Sequence, residues 1–154
     1  MKKRKTNNAF RKAIIATPEI CCAYCNGLQA LRRADAVKIK PGDKYKVDGS
    51  VDIDSAVKVL YPEANRWDYA IGYDAKVCFV EVHPAYTKEI DTMVKKFHWL
   101  KEWLKEMAPQ LESIPKMTPA YVWIQSGKSA ILPTAKQSKI LASIGLPRPG
   151  LQLR

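Results

Sequence analysis

A chain of 154 residues, 47% of them hydrophobic, has room for one domain with a sizeable core, which excludes a disulfide-dependent peptide scaffold and a disordered polycation. No apolar run approaches the roughly 18 residues of a membrane helix, and Ala13-Ile14-Ile15-Ala16 is too short for the hydrophobic segment of a signal peptide. The unevenly spaced Cys21, Cys22, Cys25 and Cys78 do not form a secreted disulfide framework, so a soluble, cytoplasmic protein with no membrane partner is expected.

Residues 1–8 open the chain as a basic flexible arm holding Lys2, Lys3, Arg4 and Lys5, and residues 9–154 read as a single domain. From Ala9 to Arg33 apolar residues recur at helical spacing. Thr17-Pro18-Glu19 divides them, with Thr17 placed to cap a second helix running from Pro18 to about Arg33. Pro41-Gly42-Asp43 is a turn, Tyr45 to Ile53 a strand or long loop, and Asp54 can cap a short helix from Ser55 to Leu60. Arg66 to Ile71 and Val77 to Val82 are strands of one hairpin joined through Gly72 to Lys76. Ile90, Met93, Val94, Phe97, Leu100, Leu104 and Met107 then mark one face of a long helix capped by Thr87. A buried strand over Ala120 to Gln125 and a short helix from Thr134 to Ser143 complete an α/β arrangement. In it the long helix crosses over between two strands that can lie parallel.

Charge is distributed unevenly along this order: residues 1–40 carry +8, residues 41–112 carry −3 and residues 113–154 carry +6, for a total of +11. Basic ends around an acidic centre can bring a polyanion against carboxylates, and nucleic acid is the partner such a field favours, DNA ahead of RNA. A surface that is merely soluble is the plainer explanation.

Within the hairpin, Asp68 and Glu81 stand among apolar neighbours, where a carboxylate is costly unless compensated. A turn centred on Asp74 and Ala75 sets Gly72 opposite Val77, Ala70 opposite Phe79 and Asp68 opposite Glu81. The period of two adds His83 to the face of Glu81. Two opposed carboxylates repel unless a cation lies between them, and oxygen donors of this kind suit Mg²⁺ or Mn²⁺. Alternatively, Asp68 pairs with Arg66 or another cation at the sheet end, Glu81 does likewise, and His83 caps the strand before Pro84.

Trp67-Asp68, the hairpin and Phe79-Val80-Glu81-Val82-His83 together resemble the PD-(D/E)XK nuclease superfamily. The resemblance implies a restriction-endonuclease-like core, with a mixed central sheet flanked by helices and built as helix, strand meander, crossover helix and strand. It also implies metal-dependent cleavage of nucleic-acid phosphodiesters, with Asp68 and Glu81 as ligands of Mg²⁺ or Mn²⁺. His83 stands where the motif has Lys. Lys95 or Lys96, on the following helix, is then the candidate for the cationic role, and Glu19, ahead of Glu63, for an additional helical acid. Two-fold pairing into a homodimer fits double-strand cutting.

Lys128, Lys136 and Lys139 are further candidates for phosphate contact. Gly127-Lys128-Ser129 is no Walker motif, because Val122 occupies the position of its first glycine. Cys22 and Cys25 have CxxC spacing without a second pair, and buried thiols on a helix are expected instead. Trp99 and Trp103 broaden the core face of the long helix, and His98 reads as a partly buried structural histidine. Two other functions stay open: an inactive nucleic-acid-binding module of the same fold, and a basic partner for an acidic protein.

Overall fold

The computed structural model describes residues 8–130 and 136–146, without the side chains of residues 87, 127–130 and 136–138. Its central feature is the expected hairpin. Asp74 and Ala75 take φ of 50° and 63°, the left-handed pair of a two-residue turn whose twist matches that of its strands. The turn is tighter than the five residues expected, so Gly72, Tyr73 and Lys76 belong to strands. Strand β2 (Tyr69–Tyr73) pairs with β3 (Lys76–Tyr86) in the anticipated register, Gly72 against Val77 and Ala70 against Phe79.

Strand β1 (Val47–Asp52) lies antiparallel to β2, and β4 (Lys116–Ala130) runs parallel to β3, giving a mixed four-stranded sheet in the order β1-β2-β3-β4. Between β3 and β4 the chain crosses over through α4 (Ile90–Met107) and the short α5 (Pro109–Glu112). Ile90, Met93, Phe97, Leu100 and Leu104 are buried, as their spacing requires. The helix is preceded by a 3-10 turn over Thr87–Glu89, so it begins three residues after the residue expected to cap it.

Helix α1 (Ala9–Ile15) is capped by Asn8, whose side chain accepts the Arg11 N–H at 2.9 Å. Its Phe10 presses on β2 at Gly72, where a Cβ would sit 2.5 Å from the ring. Only glycine admits that approach. Asp52 rather than Asp54 caps α3 (Ile53–Val57) by accepting the Ser55 N–H at 2.9 Å. The last helix is α6 (Lys136–Ile144); the expected cap, Thr134, lies outside the described residues.

The expected helix from Pro18 to Arg33 does not form. Thr17 is buried with its hydroxyl donating back to the Ala13 carbonyl at 2.8 Å, so it closes α1 instead of capping a successor. The chain then proceeds by separate turns, and Cys25 exchanges two backbone hydrogen bonds of 2.9 Å with Ser50 at the edge of β1. Ser50 also accepts the Ala30 N–H at 3.1 Å. The sheet edge therefore takes polar groups that a helix would have used internally. What remains is the four-residue α2 (Arg33–Ala36). Cys21 and Cys22 are consequently exposed rather than buried on a helix, whereas Cys78 is buried in β3, where burial pushes its thiol up to about 12.

The sheet separates two apolar clusters. On one side Phe10, Ile14, Trp67, Phe79, Phe97, Leu100, Leu104 and Trp123 form the main core, with Trp103 buried as expected and Trp99 stacked on it at 5.7 Å. On the other, Leu31, Tyr69, Ile71, Cys78, Val80 and Ile124 lie under residues 28–42. His98 is exposed, contrary to expectation. Among the described residues no helix is long and apolar enough to cross a membrane.

Candidate functional site

Asp68 immediately precedes β2, and its carbonyl turns away to accept the Ile53 N–H of α3 at 2.8 Å. Beyond Tyr69 and Val80 the hairpin is carried on by side chains. The Val82 N–H donates to Asp68 Oδ2 at 3.0 Å, and the Asp68 N–H donates to Glu81 Oε1, also at 3.0 Å. The hairpin register thus brings the two carboxylates together, each holding the other's strand.

Glu81 is 1% exposed and its strand partner in β4 is Trp123. A charge in that position needs a cation, and α4 supplies it: Lys96 Nζ lies 3.1 Å from Glu81 Oε2 and donates to the Arg66 carbonyl at 2.9 Å. Lys95, the neighbouring candidate, is exposed and has no acidic partner among the described residues. Of the two helical lysines the fold selects Lys96.

The alternative in which Arg66 neutralises Asp68 is not met. Its Nε donates to Asp54 Oδ1 at 2.7 Å, and Nη1 donates to the Tyr61 carbonyl at 2.6 Å. Asp68 has no ion-pair partner among the described residues, and only its Oδ2 accepts a hydrogen bond there. Burial pushes its carboxyl up to about 6; the Val82 N–H and Lys96 oppose the rise, while Asp54 and Asp35 add to it. Burial pushes Glu81 up to about 8, with the Asp68 charge adding and Lys96 opposing. These are two acids that a low-dielectric site resists ionising together.

His83 Nδ1 lies 3.7 Å from Glu81 Oε2, beyond hydrogen-bond distance, and Nε2 lies 2.9 Å from Glu89 Oε2. The Trp123 indole N–H donates to the His83 carbonyl at 2.9 Å and fixes the strand there. When the neutral ring donates its Nε2 proton to Glu89, the Nδ1 lone pair is left on the side of Glu81.

Asp68 Oδ1 accepts no hydrogen bond among the described residues, and Glu81 Oε2 is taken by Lys96, so these two oxygens are the ones a metal would share. Among the described residues no group of three or more His, Cys, Asp or Glu side chains is placed around one ion. A pair of carboxylates fits Mg²⁺ or Mn²⁺, which keep several waters, better than a closed zinc site. Trp67, next to Asp68 in the chain, is fully buried, and its indole N–H has no hydrogen-bond partner among the described residues.

Glu19 does not join the site, because its oxygens accept the Trp103 indole N–H at 3.0 Å and the Tyr61 hydroxyl at 2.9 Å. Glu63 is exposed. Lys2, Lys3, Arg4 and Lys5 lie outside the described residues; Lys128 and Lys136 are placed by their backbone on β4 and α6, and Lys139 is exposed on α6. The sequence reading missed Asp35, Asp54 and Glu89. Nothing in their spacing marks them, since Asp35 and Asp54 are brought in by the short helices α2 and α3 and Glu89 by the turn before α4. No protein-family model, curated protein or solved structure matches the chain.

Proposed function

We propose that this chain is a metal-dependent nuclease with a restriction-endonuclease-like core of the PD-(D/E)XK type. The observation that carries the reading is the joint placement of Asp68, Glu81 and Lys96: two interlocked carboxylates at a strand end, with one lysine reaching them from the crossover helix. The element order α1-β1-β2-β3-α4-β4 supports it, as does the basic charge on both sides of an acidic centre.

Asp68 and Glu81 would hold Mg²⁺ or Mn²⁺, and the bound ion would supply a water of lowered pKa and positive charge toward the phosphoryl oxygens. The ion would also offset the burial that raises both carboxyls, and the Asp68 charge that adds to the rise at Glu81. Lys96 spends one N–H on Glu81 and one on the Arg66 carbonyl, which leaves its third donor for a phosphate oxygen. His83, steadied by Glu89, presents Nδ1 to orient or deprotonate a water beside Glu81.

Incubation with plasmid, single-stranded DNA and RNA in Mg²⁺, Mn²⁺ or chelator tests the reading. Cutting that requires metal and falls by about 100-fold or more in Asp68→Asn, Glu81→Gln and Lys96→Ala, while Lys95→Ala stays within about twofold, is the expected result. Salt-sensitive binding without cutting, unchanged in the Asp68 and Glu81 variants, would instead identify an inactive binding module.

A further inference from the structure

The carboxylate site creates a problem for its own substrate. Asp35, Asp54, Asp68, Glu81 and Glu89 all face this end of the hairpin through direct contacts or through the charge felt at Asp68. The cations among them are already engaged: Arg66 by Asp54 and the Tyr61 carbonyl, Lys96 by Glu81 and the Arg66 carbonyl. A polyanion approaching this surface needs positive charge that is not yet committed.

Two such groups stand on the segment that carries Asp35. Arg32 and Arg33 are exposed, and neither guanidinium has a hydrogen-bond or ion-pair partner among the described residues. Their backbone is fastened to the start of β2. The Arg32 N–H donates to the Tyr69 hydroxyl at 3.4 Å, that hydroxyl donates to Asp35, and Leu31 and Ile39 are buried on either side. Tyr69 adjoins Asp68 in the chain, and the Asp35 charge bears on Asp68, so the arginine pair stands on the segment that reaches this end of the hairpin.

We propose that Arg32 and Arg33 form a phosphate clamp that receives the nucleic-acid backbone beside Asp68 and Glu81. A guanidinium matches phosphate geometry with two parallel donors, and the uncommitted pair offsets the negative field that would otherwise repel the strand. The inference rests on the nuclease reading for its partner, but it concerns binding and is measured apart from cleavage.

The test is fluorescence anisotropy with labelled duplex and single-stranded oligonucleotides, in Ca²⁺ so that turnover does not enter. Arg32→Ala/Arg33→Ala is expected to weaken binding about tenfold and to reduce the slope of log K against log salt by about 2. The control pair Lys76→Ala/Lys105→Ala, exposed at the hairpin tip and on α4, should change affinity less than about twofold. Arg32→Lys/Arg33→Lys should keep the wild-type salt slope, which separates loss of charge from loss of folding. If the arginine and control pairs respond alike, the clamp is overturned. If wild type does not cut in Mg²⁺ or Mn²⁺ yet binding still depends on Arg32 and Arg33, the clamp stands and the nuclease reading falls.

Discussion

One face of the sheet lies under α1 and the continuous helix α4; the other lies under residues 28–42, whose only regular piece is the four-residue α2. The helical face is filled by Trp67, Phe79, Phe97, Leu100 and Trp123. The other retains an apolar cavity of about 210 Å³ lined by Leu28, Ile39, Val47, Ile71 and Met117. The site draws on both coverings, and each suits its role. Lys96 must meet a buried carboxylate at 3.1 Å, so it comes from a helix locked by packing. In the proposed clamp Arg32 and Arg33 would follow a flexible phosphate chain, and they stand at the start of the short α2, held by a few polar contacts.

The difference can be broken by emptying each face in turn. Leu100→Ala, in the closed core under α4, should cost about 3–5 kcal/mol, because its neighbours cannot collapse into the gap. Ile39→Ala should cost about 2 kcal/mol or less, since Ile39 already borders open volume. Urea unfolding of both variants measures the contrast, and equal losses would mean that the two coverings are packed alike.

The parts legible in the sequence were those set by local chemistry. The Asp74-Ala75 turn and the period of two set the register that brings Asp68 to Glu81, and the apolar spacing of α4 marked its buried face, whereas Lys95 and Lys96 came from the family resemblance and only the fold chooses between them. The segment after Thr17 was misread because its helical spacing is real but lost to competition. Thr17 bonds back to Ala13, and Cys25 and Ala30 bond to Ser50, which lies far along the chain from both. Glu19, which the family resemblance offered as a site acid, is lost in the same way: Trp103 and Tyr61 claim both of its oxygens. Long-range pairings of this kind leave no periodic trace.

The next effect is smaller and has the opposite sign. Glu81 is raised to about 8 and Asp68 to about 6 from the usual carboxylate range, so the folded chain binds more protons than the unfolded one between roughly pH 4 and 8. The stability they contribute is present below the unfolded values and is lost as pH rises through the folded ones. Without metal, melting should therefore show wild type weakening toward pH 9. Glu81→Gln should be more stable there by about 1–2 kcal/mol, a modest gain because Lys96 also loses its partner. Added Mg²⁺ should raise the melting temperature of wild type alone. A variant less stable than wild type at pH 9 would show that the Lys96 pair outweighs burial.

Tyr69→Phe sharpens the contrast at the loosely covered face. The change keeps the buried ring and removes only the hydroxyl that joins the Arg32 N–H to Asp35. Both groups are near the surface and can be rehydrated, so the cost should be near 1 kcal/mol. The effect should also be local: amide hydrogen exchange at residues 32–36 should quicken, while Cys78 to Val80 in β3, held between β2 and β4, keep their protection. Oligonucleotide affinity should fall about two- to threefold, less than in the arginine double variant, because the guanidiniums remain but their backbone is released. Equal acceleration across β3 would mean that the hydroxyl braces the sheet itself, and α2 with its cap would then be part of its rigid frame.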